Sequence, residues 1–214
     1  MAIFLDSAQL DDARAAAATG AVAGITTNPT LLAAVPEPRE QVLAALCAAQ
    51  PGPVFCQLVA SDAESMVAEA RRLHAISPEQ IVLKVPAGLE GVRAISRLAP
   101  ALPCALTAVY APGQAYLAAM AGARYVIPYV NRASRRLGDG IALVSALAAT
   151  CAAAGTDTAV LAASLKTPDE VTAALLAGAR HVTLPWPVIM ALAEHPLSAE
   201  AVAEFARAAA AASR

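Results

Sequence analysis

Ile81-Val82-Leu83-Lys84-Val85-Pro86 sets one lysine in a run of aliphatic residues with no acid beside it in sequence. A run apolar on both faces is the kind of strand a parallel sheet buries, with helices on one side and a core on the other. Side chains alternate across a strand, so Val82 and Lys84 share one face and Ile81, Leu83 and Val85 the other. Lys84 is therefore expected to point inward, near the carboxyl end of its strand. Desolvation disfavours a charged amine, and the neutral amine attacks carbonyls, which is the entry to Schiff-base chemistry. Taken alone, such a lysine reads instead as an edge-strand residue whose head snorkels to solvent. The rest of the chain has to decide.

Outward from this strand, short β-like runs alternate with alanine-rich helical stretches. Strands are predicted at 2–6, 22–27, 53–59, 81–86, 103–109, 125–130, 158–164 and 181–185. Helix starts carry caps: Ser61-Asp62-Ala63-Glu64 reads as a capping box, and Thr167-Pro168-Asp169-Glu170 as another with proline at the first helical position. Gly20, Gly122, Gly155 and Gly178 stand where helices should stop. Strict alternation implies right-handed parallel crossovers. Eight of them in a chain of 214 residues predict one domain, a closed (β/α)8 TIM barrel of minimal size. The alternative is an open doubly wound sheet, disfavoured because no glycine-rich phosphate loop follows the first strand. After the eighth strand one helix, about 187–194, completes the barrel. An additional C-terminal helix, about 199–212 with Ser198 as N-cap, carries Val202, Phe205 and Ala209 on one side, which points to an oligomer.

Composition narrows the function classes. An apolar fraction of 58% with 15% charged residues suits a buried sheet and some surface hidden between subunits, and a formal net charge of −2 gives no reason to expect nucleic acid or an anionic membrane. The longest uncharged run, 98–123, is broken by Pro100, Pro103, Pro112 and Gly113, against a transmembrane helix. The N-terminus reaches Asp6 too early for a signal peptide, so a cytoplasmic protein is expected. Cys47, Cys56, Cys104 and Cys151 have no CxxC pair, and His74, His181 and His195 lack metal-ligand spacing, so neither a metal nor a disulfide framework is expected.

In a barrel of this kind the working residues stand at the carboxyl ends of the strands. There the sequence places Asp6; Thr26, Thr27 and Asn28; Gln57; Lys84; Thr107 and Tyr110; Tyr129, Asn131 and Arg132; and Ser164 with Lys166. Each has a plain alternative, as a cap, a turn residue, a rim aromatic or a solvated charge. Seven apolar strands all acquiring polar side chains near the same end is an improbable arrangement for a purely structural core. That weighs for a reactive Lys84.

Gly24-Ile25-Thr26-Thr27-Asn28-Pro29-Thr30 and the Lys84 strand resemble the two signatures of the transaldolase family, in the right order. The resemblance continues through Thr107-Ala108-Val109-Tyr110, Tyr129-Val130-Asn131-Arg132 and Ala162-Ala163-Ser164-Leu165-Lys166-Thr167-Pro168. Within that family the chain is similar to the short fructose-6-phosphate aldolase type. Transaldolases usually place glutamate on the third strand and phenylalanine on the sixth, where this chain has Gln57 and Tyr129. They also have an asparagine two residues before the strand-five threonine, where this chain has Ala105.

The resemblance implies a class I, metal-independent and cofactor-free aldolase. It would cleave fructose 6-phosphate reversibly to dihydroxyacetone and glyceraldehyde 3-phosphate. Lys84 would form the Schiff base, Gln57, Thr107 and Tyr129 would hold a proton-shuttling water, and Asp6 would bind the hydroxyl that becomes the aldehyde. Asn28, with Thr26 beside it, would position the donor; Arg132 and Ser164 would bind the phosphate, with Lys166 adding positive potential. The alternatives are a transaldolase moving a dihydroxyacetone unit between sugar phosphates, an acetaldehyde-dependent Schiff-base aldolase, and a noncatalytic sugar-phosphate-binding barrel. The resemblance also implies a homo-oligomer, a pentamer or decamer, in which the terminal helix reaches a neighbour.

Overall fold

The computed structural model describes residues 1–212. In chain order the elements are β1 (Ala2–Asp6), α1 (Leu10–Ala18), β2 (Val22–Thr26), α2 (Pro29–Ala33), α3 (Arg39–Ala49), β3 (Val54–Gln57), α4 (Ala63–His74) and β4 (Ile81–Pro86). They continue with α5 (Leu89–Leu98), β5 (Cys104–Val109), α6 (Pro112–Met120), β6 (Tyr125–Pro128), α7 (Val130–Leu137), α8 (Gly140–Ala153), β7 (Ala159–Ala162), α9 (Pro168–Leu176), β8 (His181–Leu184), α10 (Trp186–Ala193) and α11 (Pro196–Ala212). The eight strands pair in sequence order, and β8 pairs in parallel with β1 to close the barrel. The uncharged run 98–123 divides into the end of α5, β5 and α6. Among the described residues no single helix is long and apolar enough to cross a membrane.

Alternation along the strands sorts the side chains into two cores. Ile81, Leu83 and Val85 join Leu5, Ile25, Cys56, Leu106 and Val126 between sheet and helices. Phe4, Phe55, Val82, Ala105, Ile127, Leu161 and Ala163 fill the barrel interior. Lys84 follows Val82 on the inward face, as its place in the strand predicts. Below the lysine, Phe4, Phe55, Tyr125 and His181 meet edge to face, with ring centroids 5.1 to 5.9 Å apart, and floor the barrel. Burial there drives the His181 imidazole down to about 4, so it is neutral and acts as an aromatic.

The helix ends follow the predicted chemistry with small displacements. Gly20, Gly122, Gly155 and Gly178 all adopt positive φ where their helices stop. Thr167 caps α9 by accepting from the Glu170 N–H. At α4 the cap is Asp62, which accepts from the Ser65 N–H, and not Ser61. The last helix starts at Pro196, earlier than predicted: His195 accepts from Leu197 through its ring nitrogen and from Ser198 and Ala199 through its carbonyl, so Ser198 lies inside the first turn. α11 buries none of its described side chains, and Leu197, Val202 and Phe205 are exposed. Gly91 lets α5 lie directly against the end of β4, because a Cβ there would fall 2.1 Å from the Pro86 carbonyl oxygen.

Candidate active site

Lys84 is 4% exposed. Its amine donates at 2.7 Å to the Thr27 carbonyl, the last peptide before α2 turns away from the barrel. Burial pulls its pKa below the usual lysine range, partly offset by the Asp6 carboxylate and Cys56. An amine held this way is neutral more of the time at neutral pH than a surface lysine, and is fixed in place by a backbone acceptor.

Asp6 ends β1 opposite Thr26 on β2. Burial raises its pKa, and Lys84, the Thr26 hydroxyl and Lys166 pull the other way. The Thr26 hydroxyl donates to Asp6 at 2.9 Å and lies 2.6 Å from the Thr183 hydroxyl. A hydroxyl has one proton, so with Asp6 ionised the chain runs Thr183 to Thr26 to Asp6. Thr183, buried on β8, extends the polar set to the eighth strand and was not among the predicted residues. Its alternation with His181 along the strand was the available signal.

Gln57 sits across from Lys84 in the β3–β4 register. Its amide oxygen is buried and, like the Tyr110 hydroxyl, has no partner among the described residues. Buried acceptors of this kind are normally satisfied by water or ligand. On the next two strands round the barrel Thr107 and Tyr129 share a hydrogen bond at 3.1 Å, and burial raises the Tyr129 phenol above its ordinary range, with the Thr107 hydroxyl opposing. Tyr110 stands edge-on to Tyr129 at 6.1 Å, and the Arg132 guanidinium lies 4.9 Å from the centre of the Tyr129 ring. Gln57, Lys84, Thr107 and Tyr129 thus stand at the carboxyl ends of four consecutive strands, with the Gln57 oxygen unpartnered among the described residues.

At the rim, Arg132 and Lys166 are exposed and Ser164 is half-buried. Ser164 has φ 62°, a left-handed conformation that a serine adopts only where the surroundings hold it. Glu170 supplies part of that hold: it accepts from the Asn131 amide at 2.8 Å and the Lys166 N–H at 2.6 Å, tying the first turn of α7 to the loop after β7. Ala108, φ 61°, makes the β5 bulge that separates Thr107 from Val109 in the pairing with β6. Asn28 caps α2, its side-chain oxygen accepting from the Leu31 N–H at 3.0 Å. The plain alternative therefore holds for its oxygen, while its amide nitrogen has no partner among the described residues. Among those residues no three His, Cys, Asp or Glu side chains lie close enough to hold a metal ion.

The Transaldolase/Fructose-6-phosphate aldolase family profile matches residues 3–214. A protein of Desulforudis audaxviator named "Probable transaldolase" is 39% identical over 206 residues, 96% of this chain and 95% of that one. A Thermus thermophilus protein of the same name is 39% identical over 208 residues, 92% of this chain and 93% of that one. Among solved structures, a mandelate oxidase variant superposes with a TM-score of 0.59 over 87% of this chain and 64% of its own, at 22% identity. This chain thus spans less than two thirds of that oxidase, and the likeness is one of barrel fold alone.

Proposed function

The chain belongs to the transaldolase/fructose-6-phosphate aldolase family, and we propose that it is a Schiff-base aldolase acting on fructose 6-phosphate, with Lys84 as nucleophile. What supports this most is a single buried, desolvated amine facing a mouth of polar side chains. In cleavage, neutral Lys84 attacks the C2 ketone, and loss of water with uptake of one proton gives a protonated imine. Asp6 takes the proton of the C4 hydroxyl as the C3–C4 bond breaks. The bonding pair moves into the imine to make an enamine, and glyceraldehyde 3-phosphate departs. Its phosphate is held at the rim by Arg132 and Ser164, the guanidinium through paired charge-assisted bonds, with Lys166 adding positive potential. A water between the Gln57 oxygen and the Thr107–Tyr129 pair then relays the proton that Asp6 took to the enamine carbon, and hydrolysis of the resulting imine frees dihydroxyacetone and Lys84 and releases the proton taken up at the start. Asn28, through its amide nitrogen, and Thr26, through Asp6, position the donor.

The relatives' names favour a second reading, transaldolase. The chemistry is common up to the enamine and divides on its fate: protonation gives a lyase, and capture by a second aldehyde gives a transferase. The deciding assay follows glyceraldehyde 3-phosphate released from fructose 6-phosphate with and without erythrose 4-phosphate. Release without acceptor is expected for the aldolase, whereas turnover only with acceptor would make the protein a transaldolase. Borohydride with fructose 6-phosphate should add a stable mass to wild type and none to Lys84→Ala. No adduct on wild type would overturn the Schiff base and leave a binding barrel. The exposed apolar face of α11 is assigned to a second copy of the chain, in a pentamer or decamer. Deletion from Pro196 onward should then lower the sedimentation coefficient beyond the mass removed, and an unchanged assembly would refute that assignment.

A further inference from the structure

Glu69 lies on the buried face of α4 with Met66, Ala70 and Leu73, and is 6% exposed. A buried carboxylate needs partners, and Glu69 has three. One oxygen accepts from Arg39 Nη1 at 2.8 Å, and the other from the Val59 and Ala60 N–H groups at 2.9 and 3.0 Å. Arg39, the first residue of α3, also donates through Nη2 to the Gln57 carbonyl and lies 3.2 Å from Cys56 Sγ. The Leu58 N–H between these groups donates to the Lys84 carbonyl at 2.9 Å. The backbone from Gln57 to Ala60 is therefore gripped from outside the barrel by two helices and from within the sheet by the lysine strand.

This grip fixes the peptide after Gln57, and with it the direction in which that side chain enters the barrel. A buried ion pair contributes little net stability beside an apolar replacement, because desolvation cancels most of the attraction. Here Arg39 Nε is also left without a partner. Such a pair is better suited to holding a geometry than to adding stability. Among the described residues Arg39 is the side chain that hydrogen-bonds the Gln57 carbonyl, and Gln57 carries the unpartnered oxygen assigned above to the proton-delivering water.

We propose that the Arg39–Glu69 pair is the positioning device for Gln57, and that it thereby sets how often the Lys84-bound enamine is protonated and how often it is passed to an aldehyde. This rests on the Schiff-base reading and on the water held by Gln57. With the brace removed, the end of β3 shifts, the water is held less well, protonation slows, and the enamine survives longer for transfer.

The test measures, in each purified variant, glyceraldehyde 3-phosphate release without acceptor divided by release with saturating erythrose 4-phosphate, after borohydride trapping has given the fraction of competent Lys84. Gln57→Ala is the reference, and its ratio should fall about tenfold, less than the roughly 10²–10⁴-fold of a general acid itself because Gln57 only holds the water. Arg39→Met with Glu69→Gln, made together so that no buried charge stands alone, should move the ratio the same way by at least about threefold on the same scale. Arg39→Lys should recover part of the change. Should the double variant fold poorly, Glu69→Gln alone loosens the arginine leg while its remaining carbonyl keeps a loop N–H. Parallel loss of both activities, with the ratio unchanged in folded Arg39 or Glu69 variants while Gln57→Ala moves it, would overturn the positioning role and leave the reading of Gln57 intact. An unchanged ratio in Gln57→Ala would overturn both.

Discussion

Gly91→Ala tests how closely α5 is seated on the strand that carries Lys84. The new methyl would fall 2.1 Å from the Pro86 carbonyl oxygen and 3.3 Å from Val85 Cγ1. The first of these is a backbone atom, which no rotamer change can move aside, so strand or helix must shift by roughly 1 Å in a densely packed interior. Ala94, Ile95 and Leu98 on the same helix are buried against the sheet and would lose contacts as it moved. Overpacking of this kind costs about 1–3 kcal/mol, and an obstacle of fixed backbone belongs at the upper end. Alanine regains about 1 kcal/mol over glycine in helix propensity. The expected net loss is about 2 kcal/mol, or a fall in melting temperature of about 4–8 °C for a chain of this size. Gly113→Ala in α6, where a Cβ would meet nothing within 4 Å, is the matched control and should be neutral or slightly stabilising. Urea titrations of both variants beside wild type give the comparison. A Gly91→Ala protein as stable as the control would refute the seating of α5 on β4.

Two further outcomes concern the mouth. Because burial lowers the Lys84 pKa, the rate of borohydride-trappable adduct formation should rise with pH along a limb centred below the ordinary lysine value of 10.5. The unfolded chain binds more protons than the folded one between the two values, so stability should also rise with pH across that window, and Lys84→Met should lose that increment in denaturation curves taken at several pH values. Glu170→Ala, which unties the Asn131 amide from the Lys166 N–H, should raise KM for phosphorylated substrates by about tenfold. KM for unphosphorylated aldehyde acceptors, measured in the same series, should change much less.

The barrel was legible because its signals are local. The eight runs, the stop glycines and the inward face of Lys84 each follow from short-range pattern, and the strand centres fall where that pattern puts them. The ends fall short. β3 stops at Gln57, not 59, because Glu69 takes the next N–H groups from the sheet. β6 stops at Pro128, with Tyr129 already capping α7, and β7 stops at Ala162 before the left-handed Ser164. Asp6, Lys84, Thr107 and Tyr129 were readable as polar residues at strand ends. Thr183 showed only its alternation with His181; its bond to Thr26 and the Arg39–Glu69 pair were not readable, because they join residues 157 and 30 positions apart along the chain. A lone arginine after Pro38, or a glutamate in an amphipathic helix, gives no sign of what it will grip.

The aromatic cluster of Phe4, Phe55, Tyr125 and His181 fills the barrel below Lys84. In the proposed reaction the three-carbon unit is held on Lys84 above that cluster, and the aldehyde phosphate lies toward the rim at Arg132. Departure is then a queue, last in and first out: the phosphorylated product leaves while its partner is still attached, and any acceptor enters by the space just vacated. Product inhibition should reflect that order, with dihydroxyacetone competing for the empty enzyme and glyceraldehyde 3-phosphate meeting only the form already loaded.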